Sequence, residues 1–170
     1  MDKLRSSLAA AAVPVGMTAA VAVSGAGPAA SIHQGSSETQ HRAIVQSAVL
    51  TAVRHREASR LRAYAWALSQ SGHWYVWGGT GPGYDCSGLV MMAYRHAGIR
   101  LPRTTTGMLA SRLLVRVWHP RMGDLAFYGS WHVELFRRWG YTFGAHDPGT
   151  RVGFVHYGWG WRPTAFYRVR

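Results

Sequence analysis

Residues 75–90 read Tyr-Val-Trp-Gly-Gly-Thr-Gly-Pro-Gly-Tyr-Asp-Cys-Ser-Gly-Leu-Val, and the start of a helix is written into them. His73 to Gly83 is a loop of glycines and aromatics. After it, Leu89, Val90, Ala93, Tyr94 and Ala97 recur at helical spacing, and Gly98 ends the run. Asp85 is suited to cap this helix, because a carboxylate there accepts hydrogen bonds from first-turn amides that lack intrahelical acceptors. Cys86 then sits in the first turn, where those amides favour a thiolate.

Downstream, the segments Asp124 to Tyr128, His132 to Phe136, Tyr141 to Ala145, Arg151 to His156 and Phe166 to Val169 are short, alternating or aromatic, and read as strands. Arg138-Trp139-Gly140 supplies a turn between the second and third, which predicts a meandering antiparallel sheet. Upstream, Ser31 to about Gln40 is small and polar and reads as a linker, whereas Arg42 to Gln70 is helical in pattern. Ile44, Val45, Ala48, Val49, Ala52 and Val53 carry the first part of that pattern, and Leu61, Tyr64, Ala65 and Leu68 the second, before Gly72 stops it. One long helix or two shorter ones satisfy it. Helices first and sheet second is an α+β order, with the N-terminal helices packed on a central antiparallel sheet of about five strands.

The chain has 170 residues, enough for one domain with a core. Residues 1–30 have the three parts of a secretory signal: Lys3 and Arg5, an apolar run from Leu8 to Val23, and the small residues Ser24-Gly25-Ala26. Pro14 and Gly16 interrupt the apolar run, which favours export over permanent anchoring; an uncleaved anchor would also place the rest outside the cytoplasm. Nineteen basic residues against seven acidic give a net charge of +12, and Lys3 is the sole lysine. Such a chain adheres to polyanions, whether nucleic acid, an anionic wall or a membrane surface. The arginines are scattered rather than gathered into a recognisable nucleic-acid motif, which argues against a nucleic-acid binder. Cys86 is the single cysteine of a chain read as exported, so it either pairs between chains or is kept as a reactive thiol.

A thiol titrates near about 8.5 in water and needs a base to become a nucleophile at neutral pH. His132 begins a predicted strand directly after the turn Tyr128-Gly129-Ser130-Trp131. A helix-borne cysteine facing a strand-borne histidine is a papain-like arrangement. On the residues alone, Cys86 reads equally as a small buried hydrophobe and His132 as a turn or surface histidine. None of the nine histidines shows metal-ligand spacing such as H-E-x-x-H.

Longer words of sequence separate these readings. Tyr75 to Pro82, Asp85-Cys86-Ser87-Gly88-Leu89-Val90, Leu101-Pro102-Arg103-Thr104, Gly123-Asp124-Leu125 and His132-Val133 follow in the order seen in the NlpC/p60 family of cell-wall peptidases. The resemblance runs from about Ala63 to Val169. It implies a papain-like fold that hydrolyses amide bonds in peptidoglycan stem peptides, commonly between D-glutamate and a diamino acid, with no metal or other cofactor. Cys86 is then the nucleophile and His132 its base, while Tyr75 lies near the nucleophile and Asp85 and Ser87 flank it and bind the substrate's free amine. Tyr75 has a second reading, as an aromatic packed under the loop. The organisation expected is a signal peptide at 1–30, a linker and N-terminal helix at 31–60, and the catalytic domain at 61–170.

The sequence departs from the family at the third polar residue, which usually sits on the next strand and orients the catalytic imidazole. Gly144 occupies that position. His146, two residues on, would face the same side of the strand and is the candidate in its place, with a plain loop histidine beside Asp147 as the alternative. Glu134 shares a strand face with His132 and reads as a solvated rim carboxylate, with tuning of the imidazole as the alternative. Tyr157, Trp159 and Trp161 read as packing residues, with a glycan-facing role as the alternative. The missing third residue keeps open a catalytically weak or inactive wall-binding protein of the same fold. The partners expected are peptidoglycan peptides and, through the cationic surface, anionic wall polymers, with no nucleic acid and no stable membrane insertion once the signal is removed.

Overall fold

The computed structural model describes residues 32–158 and 160–170. The signal peptide expected at 1–30, and Trp159, lie outside the described residues. Contacts divide the chain into Met1–Gln40 and His41–Arg170, and all that follows concerns the second unit except for the start of the first helix.

Helix α1 is continuous from Ile32–Ser69. The stretch read as linker is therefore helical from Ile32 onward. It lacks proline, and its polar residues are tolerated in a helix while being invisible to a search for apolar periodicity. The pattern at Ile44, Val45, Val49 and Val53 marks the helix correctly, yet these side chains are exposed. Among the described residues, burial along α1 begins at Ser59 and Arg60 and continues through Ala63, Tyr64 and Ala67. Among the described residues no helix is long and apolar enough to cross a membrane.

Helix α2 spans Cys86–His96 and the short α3 Thr105–Ala110. Six strands follow: β1 Leu114–Val117, β2 Leu125–Tyr128, β3 His132–Arg138, β4 Tyr141–Gly144, β5 Gly153–His156 and β6 Ala165–Val169. They form one antiparallel sheet in the order β1-β6-β2-β3-β4-β5. The architecture is the expected α+β one, with β1 as an additional edge strand. Alternation divides β3 between two environments. Val133 and Leu135 join Leu89, Val90, Ala93 and Tyr94 of α2 in the apolar core, each fully buried Val or Leu side chain contributing about 1.5–3 kcal/mol. His132 and Glu134 are directed to the other face of the strand.

Asp124, just before β2, fastens the sheet to α1. It is completely enclosed, accepts from Arg168 Nε at 3.0 Å and Nη2 at 2.6 Å and from the Arg121 amide at 2.7 Å, and faces Arg60 Nε at 3.8 Å. Removing one member of a buried ion cluster leaves the rest uncompensated. Asp124→Ala is therefore expected to cost about 3–5 kcal/mol of stability, measured as a shift in the urea unfolding curve; a loss within the noise of a surface substitution would contradict this account.

Candidate active site

The cysteine is placed by its cap. Asp85 has extended backbone (φ −91°, ψ 177°), and its Oδ1 accepts from the Gly88 amide at 2.6 Å, as the sequence pattern requires. Its Oδ2 accepts from the Gly78 amide at 2.9 Å and from Arg103 Nη2 at 2.6 Å, which ties the glycine-rich loop and the segment before α3 to the start of α2. Gly88 allows the loop to come this close: a Cβ there would lie 2.1 Å from the Gly79 carbonyl oxygen. Arg103 also donates from Nη1 to Ser87 Oγ at 2.9 Å. An amine arriving at Asp85 and Ser87 thus shares them with a guanidinium that the sequence reading did not single out.

The histidine is placed by the β2–β3 hairpin, whose register sets Tyr128 opposite His132. Cys86, His132, Tyr75, Ser87, Arg103 and His146 line a single cleft of about 550 Å³. Within it the Cys86 thiol is among the groups that raise the proton affinity of the His132 imidazole. Tyr75 stands at the wall, its phenol pushed up to about 12 by burial and by the neighbouring Cys86, Asp85 and Asp147 charges, so it remains a donor at all ordinary pH.

His132 Nε2 meets Glu134 Oε1 at 3.0 Å, and His146 Nδ1 meets the same oxygen at 2.9 Å. Glu134 is completely enclosed, which corrects its reading as a solvated rim residue. Its Oε2 accepts from the Tyr128 hydroxyl at 3.2 Å and from the Thr142 hydroxyl. His146 therefore contacts Glu134, while its ring lies edge-on to His132 with centroids 5.6 Å apart. Trp161 covers this group, packing at 5.5 Å on His132, 4.8 Å on His146 and 4.6 Å on Tyr128. Alternation along β3 was the signal for Glu134; its burial was legible only from the far side of the sheet.

Burial opposes charge on both partners, but pairing prevails. Hydrogen bonds to Cys86 and Glu134, and their charges, lift His132 to about 9, while hydrogen bonds from His132 and His146, the His132 charge and Thr142 hold Glu134 down at about 2. An ionised carboxylate only accepts. The facing nitrogens, His132 Nε2 and His146 Nδ1, are then the donors, and Nδ1 of His132 is left for Cys86. Two imidazole nitrogens and a carboxylate oxygen within 4.8 Å would also suit a divalent ion, but here each nitrogen is committed to Glu134.

Residues 72–154 match the NlpC/P60 family, and the chain contains a domain of that family. Over 109 residues, 61% of this chain and 22% of the other, it is 38% identical to "Probable endopeptidase p60" of Listeria monocytogenes. Over 115 residues, 61% of this chain and 35% of the other, it is 34% identical to the bifunctional muramidase/DL-endopeptidase CwlT of Bacillus subtilis. The chain thus spans about a third or less of these curated relatives. Among solved structures it resembles RipA, a peptidoglycan endopeptidase of Mycobacterium tuberculosis, with a TM-score of 0.60 and 25% identity over 68% of this chain and 64% of that one. RipA has been solved with alterations at a cysteine, a histidine and a glutamate twelve positions beyond that histidine. In this chain the twelfth position after His132 is Gly144.

The coupled pair makes stability depend on pH in a definite direction. Glu134, held at about 2 against 4.5 unperturbed, contributes fully above about 4.5 and less as pH falls toward 2; His132, raised from 6.5 to about 9, contributes fully below about 6.5 and less as pH rises through 9. Urea midpoints are expected to be highest between these limits, and the alkaline decline is expected to flatten in Glu134→Gln. A decline of unchanged steepness in that variant would contradict the pairing.

Proposed function

We propose that this protein is an exported cysteine endopeptidase that hydrolyses amide bonds in peptidoglycan stem peptides. The observation that carries the proposal is the lone thiol at the capped start of α2, sharing one cleft with His132. His132 takes the Cys86 proton, and the sulfur attacks the scissile carbonyl carbon. The resulting oxyanion is met by the Cys86 amide at the helix start, where amides lack intrahelical acceptors. The imidazolium then gives its proton to the leaving nitrogen as the C–N bond breaks. Water, deprotonated by the same imidazole, hydrolyses the thioester to release a carboxylate and restore the thiol.

The bond is that from D-glutamate to the diamino acid of the stem, in keeping with the DL-endopeptidase name of the Bacillus relative. Tyr75 offers a phenol donor to the substrate, and Asp85 and Ser87, with Arg103 between them, meet its amine end. Export follows from the signal-like residues 1–30, and the arginine-rich surface holds the enzyme to anionic wall polymers.

Digestion of purified peptidoglycan followed by mass spectrometry is expected to show cleavage after D-glutamate. The same assay with Cys86→Ala should give no product above background, and with His132→Ala a rate lower by about 10²–10⁴; equal product from wild type and Cys86→Ala would sink the cysteine mechanism. Sedimentation with isolated walls is expected to weaken steadily as salt rises, since attraction between exposed charges is screened. Binding indifferent to salt would remove the electrostatic part of the proposal.

A further inference from the structure

The mechanism above leaves one buried acid without a task. Glu134 is completely enclosed, and all its contacts are with groups around the imidazole. The β3–β4 register pairs Leu135 with Phe143 and Phe136 with Thr142, which sets Glu134 directly opposite Gly144. A Cβ on Gly144 would stand 2.6 Å from Glu134 Cγ, 3.1 Å from its Cβ and 3.2 Å from its Cδ. The first of these distances is one that side chains do not adopt. At this cross-strand pair the side-chain volume is all on β3.

We propose that Glu134 is the positioning residue for His132, and that Glu134 and Gly144 are a cross-strand exchange, in which the carboxylate comes from β3 and fills the space a β4 side chain would otherwise take. Residues two apart on a strand share a face, so Glu134 reaches back along β3 to Nε2 of His132. Its second oxygen is held by Thr142 of β4 and Tyr128 of β2, which fixes the carboxylate from both neighbouring strands. With Nε2 carrying the proton toward Glu134, Nδ1 presents its lone pair to Cys86. His146 is a second donor to the same oxygen and steadies Glu134 from the cleft side.

The catalytic consequence rests on the peptidase reading, but the geometry does not, and the thiol reports on it without substrate. Cys86 is the single cysteine, so alkylation by iodoacetate reads one site. The titratable groups about His132 are Cys86 on α2, Tyr128 on β2, Glu134 on β3 and His146 beyond β4, with Asp147 behind His146 at 3.4 Å. In the wild type the rate should fall at high pH as the imidazolium loses its proton near about 9. Glu134→Gln should move that alkaline limb down by about one pH unit or more. Turnover of muropeptides should fall by about 10² in kcat with KM little changed.

Gly144→Ala should impair the wild type and be silent in a Glu134→Gly background, a coupling expected only of groups that share one space. The exchanged variant Glu134→Gly/Gly144→Glu should recover the alkaline limb and most of the rate that Glu134→Gly loses. Thermal melting by circular dichroism accompanies each form; if Glu134→Gln fails to fold, the exchanged variant and Gly144→Ala decide. An alkaline limb unmoved in Glu134→Gln, or an exchanged variant as impaired as Glu134→Gly, would overturn the proposal. A limb that moves while no form turns over muropeptides would sink the peptidase reading and uphold the positioning role.

Discussion

An ionised carboxylate shut away from water is tolerable only where donors meet both of its oxygens. In this domain Glu134 imposes that condition on its neighbours. Tyr128 from β2, Thr142 from β4, His132 from its own strand and His146 from the following loop must all converge on one point. A slip of β4 by one residue would turn Thr142 to the opposite face and bring a side chain to the place held by Gly144. The register of the central strands and the orientation of the imidazole are therefore one constraint.

Asp85 does for the thiol what Glu134 does for the imidazole. Its two oxygens gather the first turn of α2, the loop at Gly78 and Arg103, so the helix that carries Cys86 cannot tilt without breaking charge-assisted hydrogen bonds. Asp124 repeats the device between α1 and β6. Of the seven acids in the chain, Asp85, Asp124 and Glu134 are buried, which leaves the surface even more one-sidedly basic than the composition implies. Two of the inward acids shape the site and the third ties the sheet to α1, while the outward arginines lose much of their compensation.

Much of this was legible because it follows from short-range rules. An N-cap carboxylate before an apolar helical pattern places Cys86, and a turn before an alternating run places His132. What the sequence concealed depends on partners distant along the chain. The opening of α1 has no apolar stripe to announce it, so a search for apolar periodicity passes over it. The edge strand β1 is stitched to β6, with Leu114 opposite Val169, across more than fifty residues. Its own pattern, two half-buried residues around two exposed ones, lacks the alternation that marks a strand.

The positioning residue proposed above shows the limit most sharply. Alternation put both His146 and Glu134 on the same side as His132, and a search for the orienting group on the next strand led to His146. Packing volume is what favours Glu134 in the proposal. A glycine where a polar side chain is expected creates a space, and in an antiparallel sheet that space belongs to the residue directly across the ladder. Extending the β3–β4 register by one pair gives Glu134 as that residue. Gly144, taken alone, suggested a missing function; taken with its cross-strand neighbour, it accounts for how a carboxylate two residues from the histidine finds room to lie against it.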